Sequence, residues 1–432
     1  MEMVQHHRPQ LVDVARAPAP PERDPLAFLT PSLEEYQSTV VDIACAPRSD
    51  DAFSGDVRRR QSVELKFGDY VEYFQAKMAG KTHWLMDTED ELKFYLAQCP
   101  LYSTSAETPA VLPHLLTHLP PKPPCLDAIE LTQVNLWMAV APSETSLHYD
   151  AYENILHVLH GAKHVRLYPP SAVAAIEPHP VYSKSANHTT LSLADSKALP
   201  GFVDFTVAAN RSEFVAGTAF YDLLSIVEAL YIPEGWWHQV RSEAFTIAVN
   251  YWFNGMRAQL LGDGDMQPYY ARVLLEDLIR TTRQTKMATY AAKCRLDLQQ
   301  ICPLNHLQDV ESVVAWLESC EETMSTAILV TLEHPLLYKV SLELSERHRE
   351  RWSRILDNAS VHLVEHLTEL WEDHDAIVRA LDGLTSAEYF DKIFGCSNDA
   401  EQLQKSFLQK KDAFAAECGR EVMKSMFGLS SP

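Results

Sequence analysis

Between Thr132 and Phe253 the chain is written in short β-forming runs, and after Gly255 that pattern stops. The runs are QVNLWMAV (133–140), ENILHVL (153–159), KHVRLYP (163–169), EALYIP (228–233) and FTIAVNYWF (245–253). They are rich in branched and aromatic residues and are separated by turn signals, a spacing that favours a sandwich or barrel. Residues 171–224 are less regular and read as an excursion from that barrel. Past Gly255 the apolar residues take helical spacing. Val310, Val313, Val314 and Leu317 fall at i, i+3, i+4 and i+7, and Leu363, Leu367, Leu370 and Trp371 make a similar stripe. An all-α region is therefore expected over 256–432.

Ahead of the β runs, residues 1–30 read as a flexible leader. APAPPERDP (17–25) forms no regular element, because proline removes backbone donors and fixes φ. Val40–Ala44 and Trp84–Met86 are strand candidates, and Tyr70–Met78 is a short helix by its apolar spacing. The expected division is a leader over 1–30, a β domain over 31–255 and a helical domain over 256–432.

Charge narrows the partners. Lys and Arg number 37 against 59 Asp and Glu, a formal net charge of -22. That argues against broad nonspecific nucleic-acid binding, which needs a basic surface to release counterions. It suits a basic protein segment as substrate. The eight cysteines are scattered without a Cys-x-x-Cys, so neither a disulfide framework nor a structural zinc spacing is expected. A reduced compartment, cytoplasm or nucleus, is the expected location. No run approaches 18 apolar residues, so no membrane span is expected.

The chemistry-bearing residues lie in the β region. His148 and Asp150 stand in TSLHYDAYENILHVLHGAKHVRLYPP, and His238 stands in YIPEGWWHQV. His-x-Asp with a distant His is the order of a two-histidine, one-carboxylate site of the kind that binds Fe(II) and leaves positions open. On a strand, i and i+2 share a face, so both side chains reach one ion. His238 follows the turn Pro233-Glu234-Gly235 and begins a new strand. Alone, however, His-x-Asp is a common tripeptide. Lys163 alternates with Val165 and Leu167, so it points with apolar residues. It either meets an anionic ligand or snorkels at an edge. Asn250 shares a face with Thr246, Ala248 and Trp252. Like Asn154, it binds either a ligand or a neighbouring backbone group. A competing motif, His362-Leu-Val-Glu365-His366, matches the H-x-x-E-H pattern of inverted zinc peptidases, and equally makes a solvated helix face. The basic run Arg347, His348, Arg349, Arg351 and Arg354 is interleaved with Glu346 and Glu350 and reads as a solvated helix.

Taken together, TSLHYDAYENILHVLHGAKHVRLYPPS, ALYIPEGWWHQV and TIAVNYW resemble the JmjC, or cupin-8-like, oxygenases, over roughly Val40 to Phe253. The likeness is to the small hydroxylase-type members. It implies an all-β double-stranded β-helix (jelly roll, cupin) core with helical N-terminal additions and an all-α C-terminal region. It implies Fe(II) held by the catalytic trio His148, Asp150 and His238, with 2-oxoglutarate as cosubstrate and ascorbate as a supporting reductant. By the same resemblance Lys163 and Thr145 grip the far carboxylate of 2-oxoglutarate. Asn154 and Asn250 line its pocket, and Tyr95 in FYLAQ is the pocket tyrosine. The implied reaction hydroxylates a protein side chain or demethylates an N-methyl-lysine, releasing succinate and CO2. A tRNA-base hydroxylase and a turnover-deficient scaffold acting through the helical region are the alternatives. Helical C-terminal segments in relatives also suggest a homodimer. One departure stands out: relatives carry a tryptophan-containing segment ahead of the Val40 strand, where this chain has its Pro-rich leader.

Overall fold

The computed structural model describes residues 7–14, 26, 29, 34–55, 61–106, 108–209, 228–255, 263–301, 309–372, 384, 386–397 and 399–429. The chain divides into two units, Met1–Pro180 with Lys184–Arg272, and Val181–Ser183 with Val273–Pro432.

The first unit carries twelve described strands. They are β1 (Gln10–Asp13), β2 (Val40–Pro47), β3 (Gln61–Lys66), β4 (Leu92–Ser103), β5 (Leu131–Ala139), β6 (Ser143–Glu144), β7 (Glu153–His160), β8 (Ala162–Tyr168), β9 (Val203–Ala208), β10 (Glu228–Ile232), β11 (Trp237–Ser242) and β12 (Thr246–Phe253). Eight form one antiparallel sheet in the order β1-β10-β7-β12-β5-β4-β2-β3, and four form a second, β6-β11-β8-β9. Strand β12 is buried along its whole length. Its alternation splits two environments. Ile247, Val249, Tyr251 and Phe253 enter a core with Tyr70, Phe74, Leu96 and Leu136. Ala248 packs in a smaller cluster with Val165 and Leu167, and Asn250 and Trp252 line a cavity. Helix α1 (Phe67–Met78) covers the first core, burying Phe67, Tyr70, Val71 and Phe74. The Tyr70 hydroxyl donates to Met138 O at 2.8 Å and accepts from Leu96 N at 3.1 Å, so its burial leaves no polar group unpaired.

One residue turns the chain from the large sheet into the small one. Gly161 lies between β7 and β8 at φ +74°. A Cβ there would sit 2.7 Å from Thr246 Oγ1 and 2.9 Å from Thr246 Cα. Both the left-handed conformation and the close approach require glycine. This corner delivers Lys163 to the second sheet.

Three expectations need correction. Trp84–Met86 is not a strand but part of a 3-10 turn, Trp84–Thr88, because the His83 ring accepts from Leu85 N and starts the turn. Trp84 itself is 52% exposed, and no described strand pairs with that segment. Within the leader, Gln10–Asp13 forms strand β1, which pairs with the β10 edge from Gln10↔Tyr231 to Asp13↔Glu228. Residues 17–25 lie outside the described residues. Finally, the excursion contains β9, which pairs with β8 from Ala162↔Ala208 to Leu167↔Val203. Only Val207 of β9 is buried, so the strand lacks the apolar alternation that reveals its neighbours.

The second unit is helical. It contains most of α2 (Gln267–Gln299), then α3 (Val310–Ser319), α4 (Glu322–Thr331), α5 (His334–Arg347), α6 (Arg349–Asp357), α7 (Val361–Glu372), α8 (Ser386–Phe394) and α9 (Ala400–Phe427). The expected stripes are its core. Val313, Val314 and Leu317 of α3 pack with Leu363, Leu367 and Leu370 of α7, together with Trp352, Tyr389 and Phe407. The basic run is not uniformly solvated. Arg351 is buried, donating to Leu317 O, Glu322 Oε1 and Ser325 Oγ, and ties three segments together. Among the described residues no helix is long and apolar enough to cross a membrane.

Candidate active site

His148 does not lie in a regular strand. It stands in an extended segment that forms isolated bridges to His238 and His188. Its backbone exchanges two hydrogen bonds with His238, from His148 N to His238 O at 3.0 Å and from His238 N to His148 O at 2.6 Å. The two imidazoles are therefore cross-strand neighbours, with ring centroids 4.4 Å apart. Asp150 is placed by the turn before β11. Its carbonyl accepts from Gly235 N at 3.0 Å, and Trp236 N closes the turn on Pro233 O. Gly235 has φ +76°, and a Cβ there would meet the Tyr269 ring at 2.7 Å. The Pro-Glu-Gly signal thus fixes Asp150 and His238 together.

Each histidine has its ring set by a backbone carbonyl. His148 Nδ1 lies 2.7 Å from Ser146 O, and His238 Nδ1 lies 3.0 Å from Trp236 O. A carbonyl only accepts, so each Nδ1 carries the proton and each Nε2 presents a lone pair. His238 Nε2 is 3.6 Å from Asp150 Oδ2. One donor atom from each of His148, Asp150 and His238 lies within 4.8 Å of the others. Burial, with His148 alongside, pushes the His238 imidazole down to about 4, so it is neutral. Two imidazoles oriented by outer carbonyls, plus one carboxylate, are a fitting donor set for a divalent ion such as Fe(II).

Lys163 is only 2% exposed, which rules out the snorkelling alternative. Its ammonium donates to Tyr95 Oη at 3.0 Å and to Ser242 Oγ at 2.7 Å. It also sits 5.5 Å and 5.8 Å from the Tyr95 and Trp137 ring centroids. Both hydrogen-bond partners are neutral hydroxyls. Burial pushes the ammonium down to about 7 and raises the Tyr95 phenol. A cation held by neutral groups in a cavity is poised for an anion.

The two asparagines bind each other. Asn250 Nδ2 donates to Asn154 Oδ1 at 3.2 Å, while Asn250 Oδ1 accepts from Trp137 Nε1 at 2.7 Å and Asn135 Nδ2 at 3.2 Å. The Thr145 hydroxyl accepts from Val240 N at 3.2 Å. The trio, Lys163, Tyr95, Thr145, Asn154 and Asn250 all line one cavity of about 410 Å³ between the two sheets. That volume suits a small ligand with a substrate group beside it.

Sequence reasoning missed two lining groups, Trp137 and His188, and one residue behind the wall, Ser242. Ser242 faces Lys163 through the β11–β8 register, and Trp137 of β5 reaches it from the other sheet. His188, from the irregular segment, stacks on His148 with centroids 5.0 Å apart and planes 17° apart. Neither the register nor the stacking has a local sequence signal. The competing peptidase motif does not assemble. His362 stacks on Tyr290, Glu365 pairs with Arg283, and His366 Nε2 lies 2.9 Å from Leu332 O.

A family profile described as a cupin-like domain matches residues 2–259, well over half of the chain. The chain belongs to this cupin-like JmjC family. The match begins at residue 2, so the Pro-rich leader lies inside it rather than ahead of it. Among curated relatives, the cupin-like chain is 31% identical over 259 residues to "Lysine-specific demethylase JMJ31" of Arabidopsis thaliana, covering 57% of this chain and 45% of that protein. It is 31% identical over 159 residues to "Bifunctional peptidase and (3S)-lysyl hydroxylase JMJD7" of Homo sapiens, covering 34% and 50%. It is 33% identical over 126 residues to "Lysine-specific demethylase JMJ30" of Arabidopsis thaliana, covering 29% and 27%. The chain thus spans half or less of the length of these relatives.

Proposed function

We propose that this cupin-like chain is an Fe(II)- and 2-oxoglutarate-dependent oxygenase acting on a C–H bond of a protein side chain. The observation that carries this reading is the pairing of two features in one cavity. One is a preset two-histidine, one-carboxylate donor set. The other is a fully buried lysine with no acidic hydrogen-bond partner among the described residues. In this reading the two sheets are the halves of a double-stranded β-helix. His148, Asp150 and His238 hold the iron through Nε2, a carboxylate oxygen and Nε2. The bound iron, with 2-oxoglutarate and dioxygen, supplies the oxidising chemistry, 2-oxoglutarate leaving as succinate and CO2.

The chain's own contribution is positioning. Lys163 neutralises the far carboxylate, and the Tyr95 and Ser242 hydroxyls aim its ammonium. Thr145 stands on the same wall. The Asn154–Asn250–Trp137 chain fixes the opposite wall without a charge that would compete for the dicarboxylate. Relatives named as lysine demethylases and as a lysyl hydroxylase make lysine, or its N-methyl form, the leading substrate class. The net charge of -22 favours such a cationic partner.

The lysine also sets a pH dependence. The dicarboxylate binds protonated Lys163, and burial places the free ammonium near 7. Below that value the lysine is already charged and affinity is flat. Above it, binding must also take up a proton, so the apparent Kd for 2-oxoglutarate should rise by up to about tenfold per pH unit. Calorimetry in buffers of different ionisation enthalpy should show proton uptake at pH 8 and little at pH 6.

The direct test incubates full-length protein with Fe(II), ascorbate, 2-oxoglutarate and peptides bearing lysine or N-methyl-lysine. Succinate and peptide mass are then read together. Stimulated succinate with gain of one oxygen identifies a hydroxylase, and loss of one methylene a demethylase. A parallel arm carries transfer RNA. Oxidation of the RNA alone, or succinate that no substrate stimulates, contradicts the proposal.

A further inference from the structure

The failed peptidase motif hides a different arrangement around one of its members. We propose that His334, His366 and Glu369 form a second metal site, in the helical unit, for a divalent late first-row ion such as zinc.

His334 is the first residue of α5, and His366 and Glu369 are three apart on one face of α7. One donor atom from each lies within 4.8 Å of the other two, and all three residues are half-buried. His334 Nε2 and His366 Nδ1 are 3.3 Å apart. Across a tetrahedral ion with bonds of about 2.0–2.1 Å, ligand atoms stand about 3.3–3.4 Å from each other. The imidazoles are therefore already at the separation a zinc ion would impose.

The orientation of His366 is also that of a ligand. Its Nε2 lies 2.9 Å from Leu332 O, which only accepts, so Nε2 carries the proton and Nδ1 turns its lone pair toward His334. Ligating histidines are commonly held this way by an outer carbonyl. The carbonyl comes from the same turn that carries His334, and that turn is itself held. Arg295 Nη2 donates to Thr331 O at 3.1 Å and pairs with Glu333 at 3.5 Å. The present contact between the two rings is one hydrogen bond, from His334 Nε2 to His366 Nδ1. On metal binding His334 moves that proton to its Nδ1, and both facing nitrogens become donors to the ion. Glu369 supplies the third donor and the negative charge, and partial exposure leaves room for water as the fourth. Two imidazoles and one carboxylate suit zinc and its neighbours rather than calcium or magnesium. The ion would join the start of α5 to α7.

The experiment uses full-length protein stripped of metal, carrying His148→Ala and Asp150→Ala to silence the barrel trio. Zn(II) is titrated calorimetrically and Co(II) by its visible absorption. The barrel-silenced protein should bind one equivalent at micromolar affinity or tighter, and should melt at a higher temperature with zinc than without. Adding His334→Gln should remove both the binding and the thermal shift while helical circular dichroism is retained. Glu369→Gln, which keeps the side-chain shape, should weaken binding at least tenfold and serves if His334→Gln lowers helicity. No binding by the barrel-silenced protein overturns the site, as does equal binding after both glutamine substitutions.

Discussion

His238→Ala is expected to lower 2-oxoglutarate-dependent succinate formation by about a thousandfold or more, with loss of stoichiometric iron. In the proposed site the side chain is one of three donors among the described residues, and no other described imidazole is placed to replace it. His188 stacks on His148, but its Nδ1 faces the Ser146 hydroxyl at 3.3 Å. The fold should survive, because the two hydrogen bonds joining residues 148 and 238 are made by backbone atoms. Iron content and succinate are measured on the same preparation, with far-ultraviolet circular dichroism as the control. Iron retained with turnover intact would move the metal away from the trio.

The second large effect is on stability. Glu153→Ala should destabilise the barrel unit by about 3 kcal/mol. Glu153 is fully buried at the start of β7. One carboxylate oxygen accepts from Tyr231 Oη at 2.7 Å and from Glu234 N at 3.0 Å. The other faces His7 Nε2 at 3.5 Å, an ion-pair separation without hydrogen-bond geometry. Alanine strands a buried hydroxyl and a buried amide together. It also loosens the turn that places Asp150 and His238, since Glu234 lies in that turn and its own carboxylate accepts from Tyr269 Oη at 2.5 Å. Glu153→Gln keeps an oxygen for both donors and should cost markedly less. Urea midpoints followed by tryptophan fluorescence separate the two variants.

What was legible in the sequence follows from where each signal resides. The strands β5, β7, β8, β10 and β12 announce themselves because apolar branched residues sit at period two, and both faces of β12 are buried. His148, Asp150 and His238 are legible because two are local neighbours and the third follows a glycine turn that no other residue fits. Lys163 is legible through its alternation with Val165 and Leu167. Ser242 and Trp137 are not, because their meeting with Lys163 depends on strand register, which the Gly161 corner and the β11–β8 pairing set over a long separation. Strand β9 escapes because it is an edge with a single buried side chain. Trp84–Met86 misleads because apolar content alone does not distinguish a strand from a turn started by a neighbouring histidine. The His334–His366 contact spans 32 residues and two helices, and the nearby H-x-x-E-H spacing points to the wrong partner.

The central claim is that the metal trio and Lys163 serve one ligand. Anaerobic titration of 2-oxoglutarate into Fe(II)-loaded full-length protein at pH 7 tests it most directly, with wild type and Lys163→Ala side by side. The account predicts saturable binding of one equivalent by wild type, weakened by at least about tenfold in the variant through loss of a charge-assisted contact of about 1.5–3 kcal/mol. Absence of binding by wild type, or equal affinity in the two proteins, would contradict it.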